Sequence, residues 1–219
     1  MRSGVVACVF MVWLALASGA ACAGLSVQVT DQAGRPVANA VVTVIAPDGD
    51  DATPAGATPA TRTIDQKQLT FMPYVEVLRP GDSVAFRNSD ATQHHVYSFS
   101  PVKRFEFVVV PGARSAPLVL DKAGVVAVGC NIHDGMINYL YVTDAPKAAR
   151  TDARGRATFD DLPAGRYLVR VWHPRLPPGR PDLREKPATL VDGQDRTLAF
   201  PLALRPDPRR QFDREHTHY

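Results

Sequence analysis

Hydrophobic and polar residues alternate with a period of two through most of this chain, in runs of four to eight broken by Gly, Pro, Asp and Asn. Leu25 to Thr30 alternates as a half-buried strand should, Asp31-Gln-Ala-Gly34 is a turn, Pro36 punctuates, and Ala40 to Ala46 gives a second strand. From Ile64 to Asp144 the runs come densely. They are Val75 to Leu78, Val84 to Arg87, His94 to Phe99, Phe105 to Val110, Ala116 to Leu120, Val125 to Val128 and Asn138 to Val142. Roughly eight short strands at that spacing predict a Greek-key sandwich. Beyond Ala145 the pattern resets: a turn at Thr151 to Gly155, a strand at Ala157 to Phe159, and alternation through Tyr167, Val169 and Val171. A Pro-rich loop from Pro174 to Pro187 then leads to an expected hairpin around Asp192-Gly193, whose second arm carries Leu198, Phe200, Leu202 and Leu204. Pro201 in that arm predicts an edge strand. The fold class expected is all-β, with two small sandwiches.

Composition adds boundaries to this picture. Nineteen Pro and 15 Gly in 219 residues suit a strand-and-turn protein. The formal charge of +3 is too small, and its Lys and Arg too dispersed, to suggest a nucleic-acid partner. Arg2, the apolar run Val5 to Ala17 and Ala21-Cys22-Ala23 form an export signal over residues 1–23, with cleavage expected before Gly24. That run is too short to span a membrane, and no other stretch is apolar enough. The alternative is a lipoprotein acylated at Cys22, against which Gly19 stands where a larger aliphatic residue is usual. Residues 47–62 read as a linker and residues 205–219 as a disordered tail.

Removal of the signal takes Cys8 and Cys22 with it and leaves Cys130 as the one thiol. A lone Cys in an oxidising compartment has no internal disulfide to join. It lies in Cys130-Asn-Ile-His133-Asp-Gly-Met136, so a thiolate, an imidazole and a thioether fall within seven residues after a β-run. Singly, Met136 reads as a core residue and His133 as a loop histidine. Jointly, with an imidazole from His94 or His95, they form the ligand set of a blue-copper site: two His and one Cys with a weak axial Met. Thiolate and neutral imidazoles are required, so copper affinity should fall on acidification. Gly135 suits a tight ligand loop. His173, before Pro174, reads as structural; His216 and His218 belong to the tail; and Asp160-Asp161, as strand neighbours, point to opposite faces. No catalytic triad, phosphate-binding loop or zinc-type Cys pair is present, and four protein ligands leave no open position for a substrate. An enzyme is therefore not expected.

Two resemblances follow from these residues. Val84-Ala-Phe-Arg-Asn88, His94-His-Val and Cys130-x-x-His133-x-x-Met136 together resemble a cupredoxin domain, with the short ligand loop of the amicyanin type. The combination of His94-His-Val-Tyr-Ser-Phe-Ser-Pro101, Cys130-Asn-Ile-His-Asp134 and Val171-Trp-His-Pro174 is similar to bacterial proteins called methylamine utilization proteins. The cupredoxin resemblance implies a single type 1 copper held by His94, Cys130, His133 and Met136, with His95 as the alternative to His94. It leaves His95 where these domains commonly carry an Asn that braces the ligand loop, and gives Asn88 a structural, loop-capping role. The second resemblance is to carboxypeptidase-regulatory-like, transthyretin-like sandwiches. It rests on Val29-x-Asp31-x-x-Gly34-x-Pro36-Val37 and on Thr151-Asp-x-x-Gly155 continuing to Phe159, Leu162-Pro-x-Gly165 and Tyr167. That signature normally lies close together in one small domain; here it is split by about a hundred residues. Residues 24–46 plus 148–204 are thus expected to form one sandwich, with a cupredoxin domain at 63–145 inserted in it. The alternative is consecutive domains. The function expected is that of a periplasmic electron carrier serving a redox protein partner, a dehydrogenase or a cytochrome c. The alternative is a non-redox copper carrier or envelope-binding module.

Overall fold

The computed structural model describes residues 22–46, 58–177 and 184–209. Of the export-signal reading over residues 1–23 all but Cys22 and Ala23 lie outside them, as do residues 47–57 of the linker reading over residues 47–62. Ala23 is instead the buried first residue of a strand, and the linker's last two residues, Thr61 and Arg62, open another. The chain is all-β: sixteen strands form four sheets that pair into two sandwiches, and no α-helix occurs among the described residues.

The first sandwich takes strands from both ends of the chain. Its three-stranded sheet has β1 (Ala23–Asp31) between β13 (Arg156–Leu162) and β16 (Arg196–Leu202), antiparallel to the former and parallel to the latter. Its four-stranded sheet orders β12 (Lys147–Arg150), β2 (Val41–Ile45), β14 (Gly165–Trp172) and β15 (Arg184–Leu190). The alternation read from the sequence sets the inward face. Leu25, Val27 and Val29 of β1 meet Val42 and Val44 of β2 and Leu198, Phe200 and Leu202 of β16 in one apolar core. Both Pro-bearing strands, β15 with Pro187 and β16 with Pro201, are sheet edges, where a missing N–H breaks no ladder.

The hairpin expected around Asp192-Gly193 is not one. The turn forms, with the Gln194 N–H donating to the Val191 carbonyl at 3.1 Å, but β15 pairs with β14 and β16 with β1. The Asp-Gly pair fixes a reversal of direction; which sheet each arm joins is set by burial, and here the arms diverge to opposite layers of the sandwich.

The second sandwich is formed from β3 to β11. One sheet orders β5 (Val75–Leu78), β11 (Ile137–Val142), β10 (Gly124–Cys130), β7 (His94–Ser100) and β8 (Lys103–Val109). The other orders β4 (Phe71–Met72), β3 (Thr61–Gln66), β6 (Ser83–Asn88) and β9 (Leu118–Val119). Phe71, Phe86, Val96, Val126, Val128 and Leu140 fill its core.

The two sandwiches meet along a third apolar cluster. Odd-numbered residues of β11, Ile137, Tyr139 and Tyr141, point away from the core of the second sandwich. With Val75 and Val77 they receive Val41 and Trp172 from the first. The Trp172 ring centroid lies 5.0 Å from that of Tyr141 and 6.0 Å from that of Tyr139. Arg150 adds a polar tie, donating from its guanidinium to the Val75 carbonyl. Residues 205–209, read from sequence as the start of a disordered tail, pack across this seam. Arg205 N–H donates to the Arg175 carbonyl, and the Arg209 guanidinium lies 3.5 Å over the Tyr74 ring.

Candidate metal centre

Three loops or strand ends bring the candidate residues to one end of the second sandwich. His94 opens β7, Cys130 closes β10, and the loop from Asn131 to Met136 returns the chain to β11. Because alternate residues of a strand point to opposite faces, His94 is turned inward and is wholly buried, while His95 is turned outward and half-buried. Gly135 carries the ligand loop through a φ of +69°, a conformation that residues with a Cβ rarely take, and the Cys130 N–H closes the loop on the Met136 carbonyl at 3.2 Å.

The donor atoms converge. Cys130 Sγ lies 3.7 Å from His94 Nδ1 and 3.6 Å from His133 Nδ1, and the two Nδ1 atoms are 3.2 Å apart. A triangle of that size has a centre about 2 Å from each corner, close to the metal–nitrogen (about 2.0–2.1 Å) and metal–sulfur (about 2.3 Å) lengths of first-row sites. Three electron-pair donors facing one another at such distances suit a cation between them. Among the described residues this is the one cluster of three or more His, Cys, Asp or Glu donors with that closeness. Met136 is buried in the same core cluster as Cys130, and His133 is the member nearest solvent. The donor atoms of His94, Cys130 and His133 are thus brought to one place; His95 is not among them, and Met136 lies in the apolar cluster that contains Cys130.

Neighbours hold these donors in place. His94 Nε2 is 2.9 Å from Asp90 Oδ2, which keeps the ring proton on Nε2 and leaves Nδ1 as a lone pair toward the cluster. Asp90 is itself fixed by the Gln68 and Leu69 N–H groups, both donated from residues with positive φ. Asn88, fully buried, donates to the Thr92 and Val109 carbonyls at 2.8 Å each and accepts from Asp90 N–H at 2.9 Å, so it ties down the loop that precedes His94. The His95 carbonyl accepts from Asn131 N–H at 2.9 Å and its ring contacts the Asn131 amide at 3.4 Å, while Nε2 faces Glu106 at 2.8 Å. His95 therefore anchors the ligand loop from outside. Asp90 carries no sequence signal beyond its place four residues before His94; its role depends on a loop–loop contact that alternation does not encode.

His173 lies away from this site, at the seam. Its Nδ1 accepts from Arg175 N–H at 3.1 Å, and burial, together with the Arg175 charge, lowers its pKa to about 4. It is a neutral structural histidine.

No protein-family model matches the chain, and no curated protein matches it. Solved structures do. A methionine-to-alanine mutant of amicyanin in the Cu(I) form is 19% identical and covers 42% of this chain and 90% of its own, with a TM-score of 0.35. A purple cupredoxin from Nitrosopumilus maritimus is 19% identical over 38% of this chain and 99% of its own, at 0.33. Amicyanin from Paracoccus versutus is 13% identical over 46% of this chain and 98% of its own, at 0.35. Each likeness spans less than half of the chain.

Proposed function

We propose that this chain is an exported mononuclear type 1 copper protein that carries single electrons. The observation that supports it is the convergence of His94 Nδ1, His133 Nδ1 and Cys130 Sγ on one point, beside a buried thioether-bearing residue. Two imidazoles, a thiolate and a weak thioether suit both oxidation states of copper in one geometry, and copper would supply the one-electron chemistry. His94, Cys130 and His133 would hold the ion, with Met136 as a weak fourth ligand. Asp90 keeps His94 in the binding tautomer, and Asn88 and His95 hold the two ligand-bearing loops in register. Burial of His94, Cys130 and Met136 excludes water, and half-buried His133 is the edge through which an electron would pass to a redox protein partner, a dehydrogenase or cytochrome. Nothing in this reading calls for a substrate, so an enzymatic role is not proposed.

The test is the visible spectrum of the exported protein loaded with Cu(II). An intense thiolate-to-copper charge-transfer band, lost in Cys130→Ser with the β-rich circular dichroism retained, is expected. A pale and easily stripped copper in the wild type would favour a non-redox carrier, and a band that survives Cys130→Ser would overturn the ligand set.

A further inference from the structure

Asn138 stands two residues after Met136, on the same inward face of the chain as it enters β11. Its side chain is fully buried. Nδ2 donates to the Pro73 carbonyl at 2.7 Å and lies 3.3 Å from the Tyr74 carbonyl, while Oδ1 is buried with no hydrogen-bond partner. A buried acceptor left unmet is destabilising. An apolar residue at this position would avoid that cost but would also take the donor away from the Pro73 and Tyr74 carbonyls, so what the amide contributes lies in the turn it ties. What the amide does is fasten the turn between β4 and β5 to the first residues of β11, where Tyr139 N–H also reaches the Tyr74 carbonyl at 3.0 Å.

The same turn is gripped from the other sandwich. The Tyr74 ring stacks edge-on to Tyr139 at 5.6 Å, and the Arg209 guanidinium covers its face at 3.5 Å. Arg209 is held by both oxygens of Asp207, at 2.9 and 2.6 Å, in the strap that follows β16. Trp172 of β14 backs Tyr139. A continuous set of contacts thus runs from the strap through Tyr74 and Pro73 to Asn138, and ends beside Met136.

We propose that Asn138 is a positioning residue for Met136, and that the first sandwich braces it through Arg209 and Tyr74. By fixing where β11 begins, the Asn138 amide fixes where the Met136 side chain lies in the core cluster it shares with Cys130. The brace gives the first sandwich a role at a site to which it contributes no candidate ligand. Only the meaning of Met136 as a ligand rests on the proposed function; its positioning is a property of the metal-free chain.

The experiment therefore reads the metal-free protein first. In the full chain labelled at methionine methyl carbons, the Met136 resonance, assigned by its disappearance in Met136→Leu, is expected to be single and sharp. Asn138→Ser should shift it and broaden or split it, and Arg209→Ala should shift it in the same direction by less. Tyr74→Phe, which keeps the carbonyl and the ring, should leave it in place. An unchanged Met136 resonance in folded Asn138→Ser overturns the proposal. Should Asn138→Ser fail to fold, Arg209→Ala, a change at a partly exposed residue, decides in the same way. In copper-loaded protein the intensity ratio of the two thiolate-to-copper bands should change in Asn138→Ser. Absence of those bands from the wild type would overturn the copper reading and leave the methyl result standing.

Discussion

At the scale of single residues the site depends on which nitrogen of each imidazole is bare. His94 is set by Asp90: the carboxylate accepts the Nε2–H hydrogen bond at 2.9 Å, and Nδ1 then faces Cys130 and His133 as an acceptor. Asp90→Ala would free the ring to take the other tautomer and would leave the Gln68 and Leu69 N–H groups without their acceptor. Outer partners of metal-binding His typically account for about 10–100-fold in affinity, so a loss of that size is expected in a chelator-competition titration with copper. An affinity equal to wild type would show that the loop, not the carboxylate, orients the ring. The spacing of Cys130, His133 and Met136 was legible in the sequence because one short loop contains all three. The choice between His94 and His95 was not, because both faces of β7 carry apolar residues: Val96 is buried on one, and Tyr97 and Phe99 line the other. Alternation says that the two histidines part company, not which one goes inside. Asp90 and Asn138 were invisible for a different reason: Asp90 is held in place by, and Asn138 donates to, backbone groups more than twenty residues away in the chain.

At the scale of elements, period-two alternation located most of the strands and set their inward faces. It missed β3 (Thr61–Gln66), left Arg184 to Pro187 of β15 in a loop, and missed β12 (Lys147–Arg150), whose side chains are charged or small and whose place is fixed by pairing with β2, from Lys147 opposite Val44 to Arg150 opposite Val41. It also did not say what covers the outer face of β11. Ile137, Tyr139 and Tyr141 alternate with Asn138, Leu140 and Val142, so both faces of that strand are rich in large side chains, and such a strand is buried on both sides. Trp172 is what covers it. Truncating a buried Trp commonly costs about 3–5 kcal/mol, and Trp172→Ala is expected to destabilise the protein by about that much in denaturant titration. The more telling outcome concerns cooperativity. With the seam intact the two sandwiches should unfold in one transition, and with Trp172 removed they should separate into two. Loss of less than about 1 kcal/mol would mean that the seam contributes little to holding the sandwiches together.

For the whole molecule, the seam also contains the group whose titration should be felt in global stability. His173 is 3% exposed, between Ala38 of the first sandwich and Arg175, with Asp207 and Arg209 of the strap facing it. Burial, aided by Arg175, lowers its folded pKa from 6.5 to about 4, and the Ala38 carbonyl and Asp207 offset only part of that shift. The unfolded chain therefore binds a proton near pH 6.5 that the folded chain refuses until about pH 4. The stabilisation from a neutral His173 is complete above pH 6.5, declines as pH falls through the interval, and levels off below about 4. A shift of this size corresponds to on the order of 3 kcal/mol. Glu76 works in the opposite sense, since burial raises its carboxyl above the usual range and so penalises the folded state as pH rises. The measurement that isolates His173 is therefore a difference: unfolding free energies of metal-free wild type and His173→Gln, each at pH 7, 5.5 and 4. The wild type should lose more stability than the variant between pH 7 and 4, and parallel curves would mean that His173 takes its proton equally in both states. Because Arg209 also covers Tyr74, protonation that loosens the strap should reach the β4–β5 turn and Asn138 before it reaches either core. In that case acidification would shift the Met136 methyl resonance of the metal-free protein at a pH above the onset of global unfolding, and His173→Gln would remove that early phase.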